Sequence, residues 1–479
     1  MPHSSPDERW AARLWAALTV LSAVVFLDAL DVSMVGVALP SIQADLGLST
    51  SALQWVVSGY VLGYGGLLLL GGRTADLLGR RRVFLAALAV FAVASLLGGV
   101  VNDGTLLIAA RFVKGVSAAF TAPAALSIIT TTFAEGPSRN RALSVFTAAG
   151  ASGFSLGLVI SGFLTQLGWR WTFLMPVPVA VIALVAALRY LPRREEERAE
   201  GGHDLIGAVT ITASMLLLVF TVVQAPEAGW GSLRTIGSLA GVVALLAAFV
   251  VTERRVRHPL VRLGILRSGP IVRANLGLVI LFGSYVGFQF VAMQYFQNFL
   301  HWSALATALA FLPAGLLVAV TSTKMGDLAD RFGTGRLIVV GSAALAGGYA
   351  FFLRVNADPD LVTLVIPGMV LLGIAFALSF PSLNIQATNG VADDEQGLAS
   401  GLLNTSGQVG GAVVLAVVTA VLTSNTSADP LDGFRAAITV SAILGLVGLA
   451  IALTGLRRTR TAVPAADGEA PEERVLETV

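Results

Sequence analysis

Apolar residues along this chain fall in runs of about 20 separated by short polar segments, without the period-two alternation of a half-buried strand. A run of that length matches the ~20 residues that a helix needs to cross the hydrocarbon layer of a bilayer. The runs cover residues 14–40, 51–70, 83–101, 105–133, 139–165, 171–191, 205–224, 234–252, 272–299, 303–322, 336–354, 362–388, 397–423 and 435–456. They predict an all-α polytopic membrane protein with fourteen transmembrane helices, since lipid offers no partner to an unpaired backbone N–H or C=O. Hydrophobicity at the amino-terminal end runs well past the length of a secretory h-region, so the first run reads as a retained span. The Pro-, Glu- and Ala-rich stretch 457–479 reads as a disordered tail.

Composition supports this reading and narrows the chemistry. Of 479 residues, 55% are hydrophobic and 13% charged, and the mean hydropathy is +0.80. Cysteine is absent, which excludes disulfides and thiolate metal sites. His3, His203, His258 and His301 all fall in predicted loops or tails, so no HExxH zinc site or histidine relay is available. Neither a nucleotide loop nor a nucleophile with its base is present. The expectation is therefore a protein that is not an enzyme, with no metal, no cofactor and no nucleic-acid partner.

Basic residues set the orientation. With an even number of spans both chain ends lie on one side of the membrane. The loops and tails of that side hold about 25 of the 31 Lys and Arg, whereas the other side holds Arg170, Arg234, Arg354 and Arg435. Excess positive charge marks the cytoplasmic side, so both termini are expected there. Arginine in place of lysine and richness in Ala, Gly, Val and Leu suggest a GC-rich bacterial genome, hence the inner membrane of a bacterial cell.

One loop pattern occurs twice. GRTADLLGRRR from Gly72 and GDLADRFGTGR from Gly326 place Gly72, Asp76 and Gly79 in register with Gly326, Asp330 and Gly333 at a constant offset of 254. Both copies follow an even-numbered span. This predicts two six-helix bundles in parallel repeat, residues 1–204 and 266–456, with spans seven and eight inserted between them as 205–265.

Apart from residues at the interfaces, the charged side chains inside the spans reduce to Asp28 and Asp31 in span one and Arg111 and Lys114 in span four. A charge at mid-membrane is costly and normally faces the bundle interior or a wet cavity. Both pairs are three residues apart, and the spans run antiparallel. The expected register sets Asp31 against Arg111 and Asp28 against Lys114.

The first loop, together with LDxSMVxVALP in span one, RFVKGVSAA from Arg111, WRWTFLMPVP from Trp169 and GLASGLLNTSGQVGGA from Gly397, resembles the major facilitator superfamily. The fourteen-span count resembles its drug:proton antiporter branch. The resemblance implies a proton-coupled secondary transporter that exports small amphipathic organic compounds by alternating access, with the proton gradient as its energy source. It also implies proton coupling at Asp31 and Arg111; Asp28 and Lys114 are additions to the family pattern, which has glutamine at the place of Lys114. In span five, Leu158 and Ser161 replace the Pro and Gly usual in antiporters, while Gly153, Gly157 and Gly162 keep the small-residue spacing. A proton-coupled importer or a specific metabolite exporter of the same superfamily is the alternative.

Tyr285, Gln289, Phe290 and Gln294 in span nine, with Asn404 and Gln408 in span thirteen, are the candidate substrate lining: apolar walls with a few hydrogen-bonding groups. No acid stands among them and Lys114 disfavours dications, so neutral, zwitterionic, anionic and cationic substrates all remain open. Gly72, Asp76, Arg80, Gly326, Asp330 and Arg331 are the candidate cytoplasmic gate, since an acid at a helix end can pair with or cap a neighbouring helix. The partners expected are a small organic substrate, protons and membrane lipids, with the chain acting as a monomer.

Overall fold

The computed structural model describes residues 6–133, 137–191, 205–256, 263–322, 324–389, 391, 396–425, 427 and 429–458. The predicted tail beyond Arg458, along with His3, His203 and His258, lies outside them. Thirteen of the described helices are long and apolar enough to cross a membrane. The fourteenth expected span, the second in order, is the 29-residue helix Thr50–Leu78.

In chain order the long helices are α1 (Pro6–Leu46), α2 (Thr50–Leu78), α3 (Arg80–Val100), α4 (Gly104–Thr132), α5 (Pro137–Leu167), α6 (Pro176–Tyr190), α7 (Leu205–Ala228) and α8 (Leu233–Glu253). There follow α9 (Gly269–Met293), α10 (Ala304–Ser322), α11 (Thr334–Phe352), α12 (Ile366–Thr388), α13 (Gln396–Thr423) and α14 (Pro430–Arg458). Side chains close several starts: Ser49 accepts from the Ala52 N–H at 3.1 Å and Asp103 from the Leu106 N–H at 2.9 Å, satisfying donors that a helix start leaves free. Large apolar side chains such as Ile182, Val185, Leu233 and Val243 are exposed, as suits helices whose outer surface meets lipid rather than water.

The repeat seen in the loops extends to the packing. α1 packs on α5, α2 on α4, α3 on α4 and on α6; adding eight to each helix number gives α9 on α13, α10 on α12, and α11 on α12 and on α14, all of them observed. The halves meet through α5 with α10 and α2 with α13, which the same operation exchanges. α7 lies against α2 and α13, with α8 packed on it. Small residues permit these approaches: a Cβ on Gly153 or Gly157 would stand 2.3 or 2.8 Å from a carbonyl oxygen of α1, and one on Gly162 would stand 2.6 Å from Ala308 Cβ of α10.

Gly79 joins α2 to α3 with φ 96°, and Gly333 joins the helix Met325–Phe332 to α11 with φ 76°. The repeated glycine therefore has a backbone reason, because side chains are strongly disfavoured at such angles.

The membrane face opposite the chain ends is closed. Val35, Leu39 and Ile42 of α1 share one apolar cluster with Phe290 of α9 and Leu415 of α13. Gln297 Nε2 donates to the Val37 carbonyl at 3.0 Å, and Asn298 Nδ2 to Gln43 at 3.1 Å. Toward the face of the chain ends, a separate apolar cluster is built from first-half residues, from Ala17 to Leu191.

Candidate coupling site and substrate cavity

α1 and α4 bring the four predicted charges together in the interior of the first half. Asp31 and Lys114 are fully buried and Arg111 is 2% exposed. The pairing differs from the register expected of the sequence. Asp31 takes both cations, Arg111 Nη1 on Oδ2 and Lys114 Nζ on Oδ1. Asp28, half-buried, instead accepts from Thr121 Oγ1 at 3.1 Å, two turns further along α4 than Lys114.

The cause is the lean of helical side chains toward the amino-terminal end of their own helix. In an antiparallel pair the two leans oppose. Lys114 reaches toward the start of α4 and Asp31 toward the start of α1, so they converge, whereas Asp28 leans away from Lys114 and meets Thr121.

Further groups hold the cations. Arg111 Nε donates to the Val56 carbonyl at 3.0 Å, and the guanidinium lies 4.6 Å from the centre of the Tyr60 ring. Lys114 Nζ donates to Ser95 Oγ at 3.0 Å, Ser95 donates on to the Phe173 carbonyl at 2.7 Å, and Phe91 lies 4.7 Å from the ammonium. Such contacts recover part of the desolvation cost of buried cations. Tyr60, Ser95 and Thr121 are absent from the sequence-derived set. Tyr60 and Tyr64, at i and i+4 in a mainly apolar span, carry a signal that could have flagged them; a buried serine or threonine carries none.

Three of the six predicted lining residues share a cavity. Gln289, Phe290 and Gln408 line it together with Tyr60 and Arg111, so it spans both halves, but its volume is only about 40 Å³. Drug-sized ligands occupy pockets of ~300–1,000 Å³, so this state is closed around the site. Gln289 is 7% exposed, and its Nε2 is buried without a hydrogen-bond partner, 3.2 Å from where a Cβ on Gly36 would stand. The other three lie outside this cavity. Gln294 accepts from Asn298 at 2.9 Å, Asn404 donates to Ser400 of its own helix at 3.0 Å, and the Tyr285 ring lies 5.3 Å from Phe376 and 6.0 Å from Phe154.

Of the predicted gate, Gly72 faces Pro123 of α4, where a Cβ added to the glycine would stand 3.7 Å from the proline ring, and Arg80 begins α3. The side chain of Asp76 and the surroundings of Gly326 lie outside the described residues. Asp330 is exposed, and Arg331 lies over the ring of its neighbour Phe332 at 5.2 Å; neither makes an ion pair with another described residue. The observed polar clamp is on the opposite face. There Asp45 accepts from Trp169 Nε1 at 2.9 Å and from Arg170 at 2.7 Å, and Arg170 also donates to Asn102 at 2.5 Å. The WRWTFLMPVP stretch thus ties the end of α1 to the α3–α4 turn.

No group of metal-binding side chains occurs among the described residues. Comparison with known proteins places this architecture. The family model of the Major Facilitator Superfamily matches residues 21–415. The chain is 38% identical over 449 residues to the puromycin resistance protein pur8 of Streptomyces alboniger, covering 92% of this chain and 88% of that protein. It is 38% identical over 421 residues to the cephamycin export protein CmcT of Amycolatopsis lactamdurans, covering 87% and 86%. Among solved structures, the human organic anion transporter MFSD10 (TETRAN) superposes with a TM-score of 0.62 at 18% identity, over 94% of this chain and 100% of that one; that likeness concerns the fold.

Proposed function

Because this chain belongs to the major facilitator superfamily, we propose that it is a proton-coupled secondary transporter that exports small amphipathic organic compounds of the antibiotic type. Relatives named for resistance and export supply the direction of transport. The distribution of Arg and Lys supports an orientation with both termini cytoplasmic in a bacterial inner membrane. Residues 1–204 and 266–456 act as the two rocking bundles, with 205–265 at their flank and the chain working as a monomer. The proton gradient is the energy source, with no cofactor needed.

The observation that carries the mechanism is the unequal treatment of the two acids. Both carboxylate oxygens of Asp31 are taken by cations, so Asp31 serves as the fixed counter-ion of Arg111 and Lys114. Asp28, half-buried and held by one hydroxyl donor among the described residues, is the acid placed to exchange a proton. With Asp28 ionised the four charges balance; with Asp28 protonated the cluster carries one net positive charge. Rocking that moves Asp28 between the two sides couples this change of charge to access. Substrate binds where Gln289, Phe290 and Gln408 face Tyr60 and Arg111, once the halves part.

Transport into inside-out membrane vesicles tests the proposal. An acid interior should drive accumulation of puromycin or a cephamycin, and a protonophore should abolish it. Accumulation of neither compound above that of vesicles lacking the protein would overturn the export reading.

A further inference from the structure

A second cavity lies within the last six helices, at the membrane face that bears the Gly333 turn. Its volume is about 490 Å³, and it shares no lining residue with the cavity at Gln289. α9, α11, α12 and α14 form its walls, and its character changes with depth. Arg273 and Arg336 stand at the mouth; Ile280, Leu281, Leu345 and Ala452 make most of the interior apolar, with the buried Ser342 and Ser379 beside them. From Arg273 to Leu281 along α9 is roughly 12 Å.

Three features point to an anion. None of the lining residues is acidic, and neither arginine makes an ion pair with another described residue. Arg273 Nε, moreover, is buried without a hydrogen-bond partner. A buried donor left unpaired calls for an explanation, and an absent ligand oxygen is one. A small hydrophilic ion does not suit this mainly apolar depth as the full occupant, because it would leave the interior unfilled.

We infer that this cavity binds a single anionic amphiphile, with its acid group at Arg273 and Arg336 and its acyl chain running inward between α9, α11, α12 and α14. Basic pockets between transmembrane helices are suited to acidic lipid heads. The chemistry required, an acid on an acyl chain, is shared by a free fatty acid and an acidic phospholipid. The site lies beside the repeated turn, so its occupant bears on how α11 moves against α9. It stands independently of what the transporter exports.

Binding of defined amphiphiles to the purified full-length protein tests this. In lipid-free detergent, palmitate should bind at least tenfold more tightly than its methyl ester, which keeps the chain and removes the acid. In nanodiscs, phosphatidylglycerol should be retained at least tenfold over phosphatidylcholine if the source is the bilayer; selectivity for palmitate alone assigns the site to a free acid. Either selectivity should fall by tenfold or more in Arg273→Ala with Arg336→Ala. Ala452→Leu, which fills the cavity from α14 and leaves the charges in place, should weaken binding of the acid as well. Equal binding of palmitate and its ester together with equal retention of the two phospholipids overturns the inference, as does selectivity that survives both sets of substitutions.

Discussion

The first six helices and the last six pair in the same order, yet the groups inside the two bundles differ in kind. The offset of 254 that relates the repeated loops carries Asp31 of α1 onto Tyr285 of α9. Asp31 is buried against two cations, whereas Tyr285 is buried between the rings of Phe154 and Phe376. One position in the fold thus accepts a doubly paired acid in one half and an aromatic ring in the other. Packing alone does not require the charges, since the second bundle assembles the same helix pairs without them. On the proposed function the asymmetry divides the work: proton and counter-ions on one side of the interface, amides and aromatic walls on the other.

The largest effect should follow from breaking the charged half at its centre. Asp31→Asn leaves Arg111 and Lys114 buried without their anion, and removing one partner of a buried pair typically costs about 3–5 kcal/mol. Thermal unfolding of the purified protein should show the loss, with transport absent. Lys114→Gln, which leaves Asp31 on Arg111, should cost less. A double-mutant cycle should give coupling between Asp31 and Lys114 well above the ~0.5 kcal/mol scatter of independent sites, and a smaller coupling between Asp28 and Lys114, which share the cluster without an ion pair; the reverse order would restore the register that simple antiparallel spacing suggests.

Next comes Asp28→Asn. The amide oxygen keeps an acceptor for Thr121, so stability should shift by less than about 1 kcal/mol. Gradient-driven transport in vesicles should nevertheless vanish, separating the two acids by phenotype: one whose loss unfolds and one whose loss uncouples.

The shared feature of the halves should respond equally in both. Gly79→Ala and Gly333→Ala each force a side chain to a φ of 96° or 76°, a strain of about 1–3 kcal/mol. Turnover should fall to a similar degree in the two variants. A loss in only one would show that the repeated turns are not equivalent in the cycle.

The smallest effect on stability, and the most selective on function, belongs to the neutral half. Gln289→Leu removes an unpartnered buried amide, so unfolding should be unchanged or slightly harder. Competition binding should show roughly tenfold weaker affinity for substrates that bear a hydrogen-bonding group, in line with about 1.4 kcal/mol for one lost hydrogen bond to such a ligand.

The fold was legible in the sequence because bilayer thickness sets the length of an apolar run, and each of the fourteen runs meets a helix. Glycines at Gly79 and Gly333 were readable for a similar reason: the backbone there demands them. The four charges could be found because ionisable residues in a span are costly. Their pairing could not be read, since spacing along an axis omits the direction in which long side chains lean. Gln294 and Asn404 mark the other limit, for an amide in a helix satisfies itself with local partners as readily as it lines a cavity. Ser95 and Thr121 joined the site through contacts between helices that composition does not record.

Infrared difference spectroscopy of the purified protein during pH titration, following the carbonyl band of protonated carboxylic acids, decides whether Asp28 exchanges the proton while Asp31 stays an ionised counter-ion. One membrane-buried carboxyl band should appear on acidification, be absent in Asp28→Asn and be shifted in Thr121→Val through loss of the hydroxyl contact. A band that persists unchanged in Asp28→Asn would contradict this assignment and return the proton to Asp31.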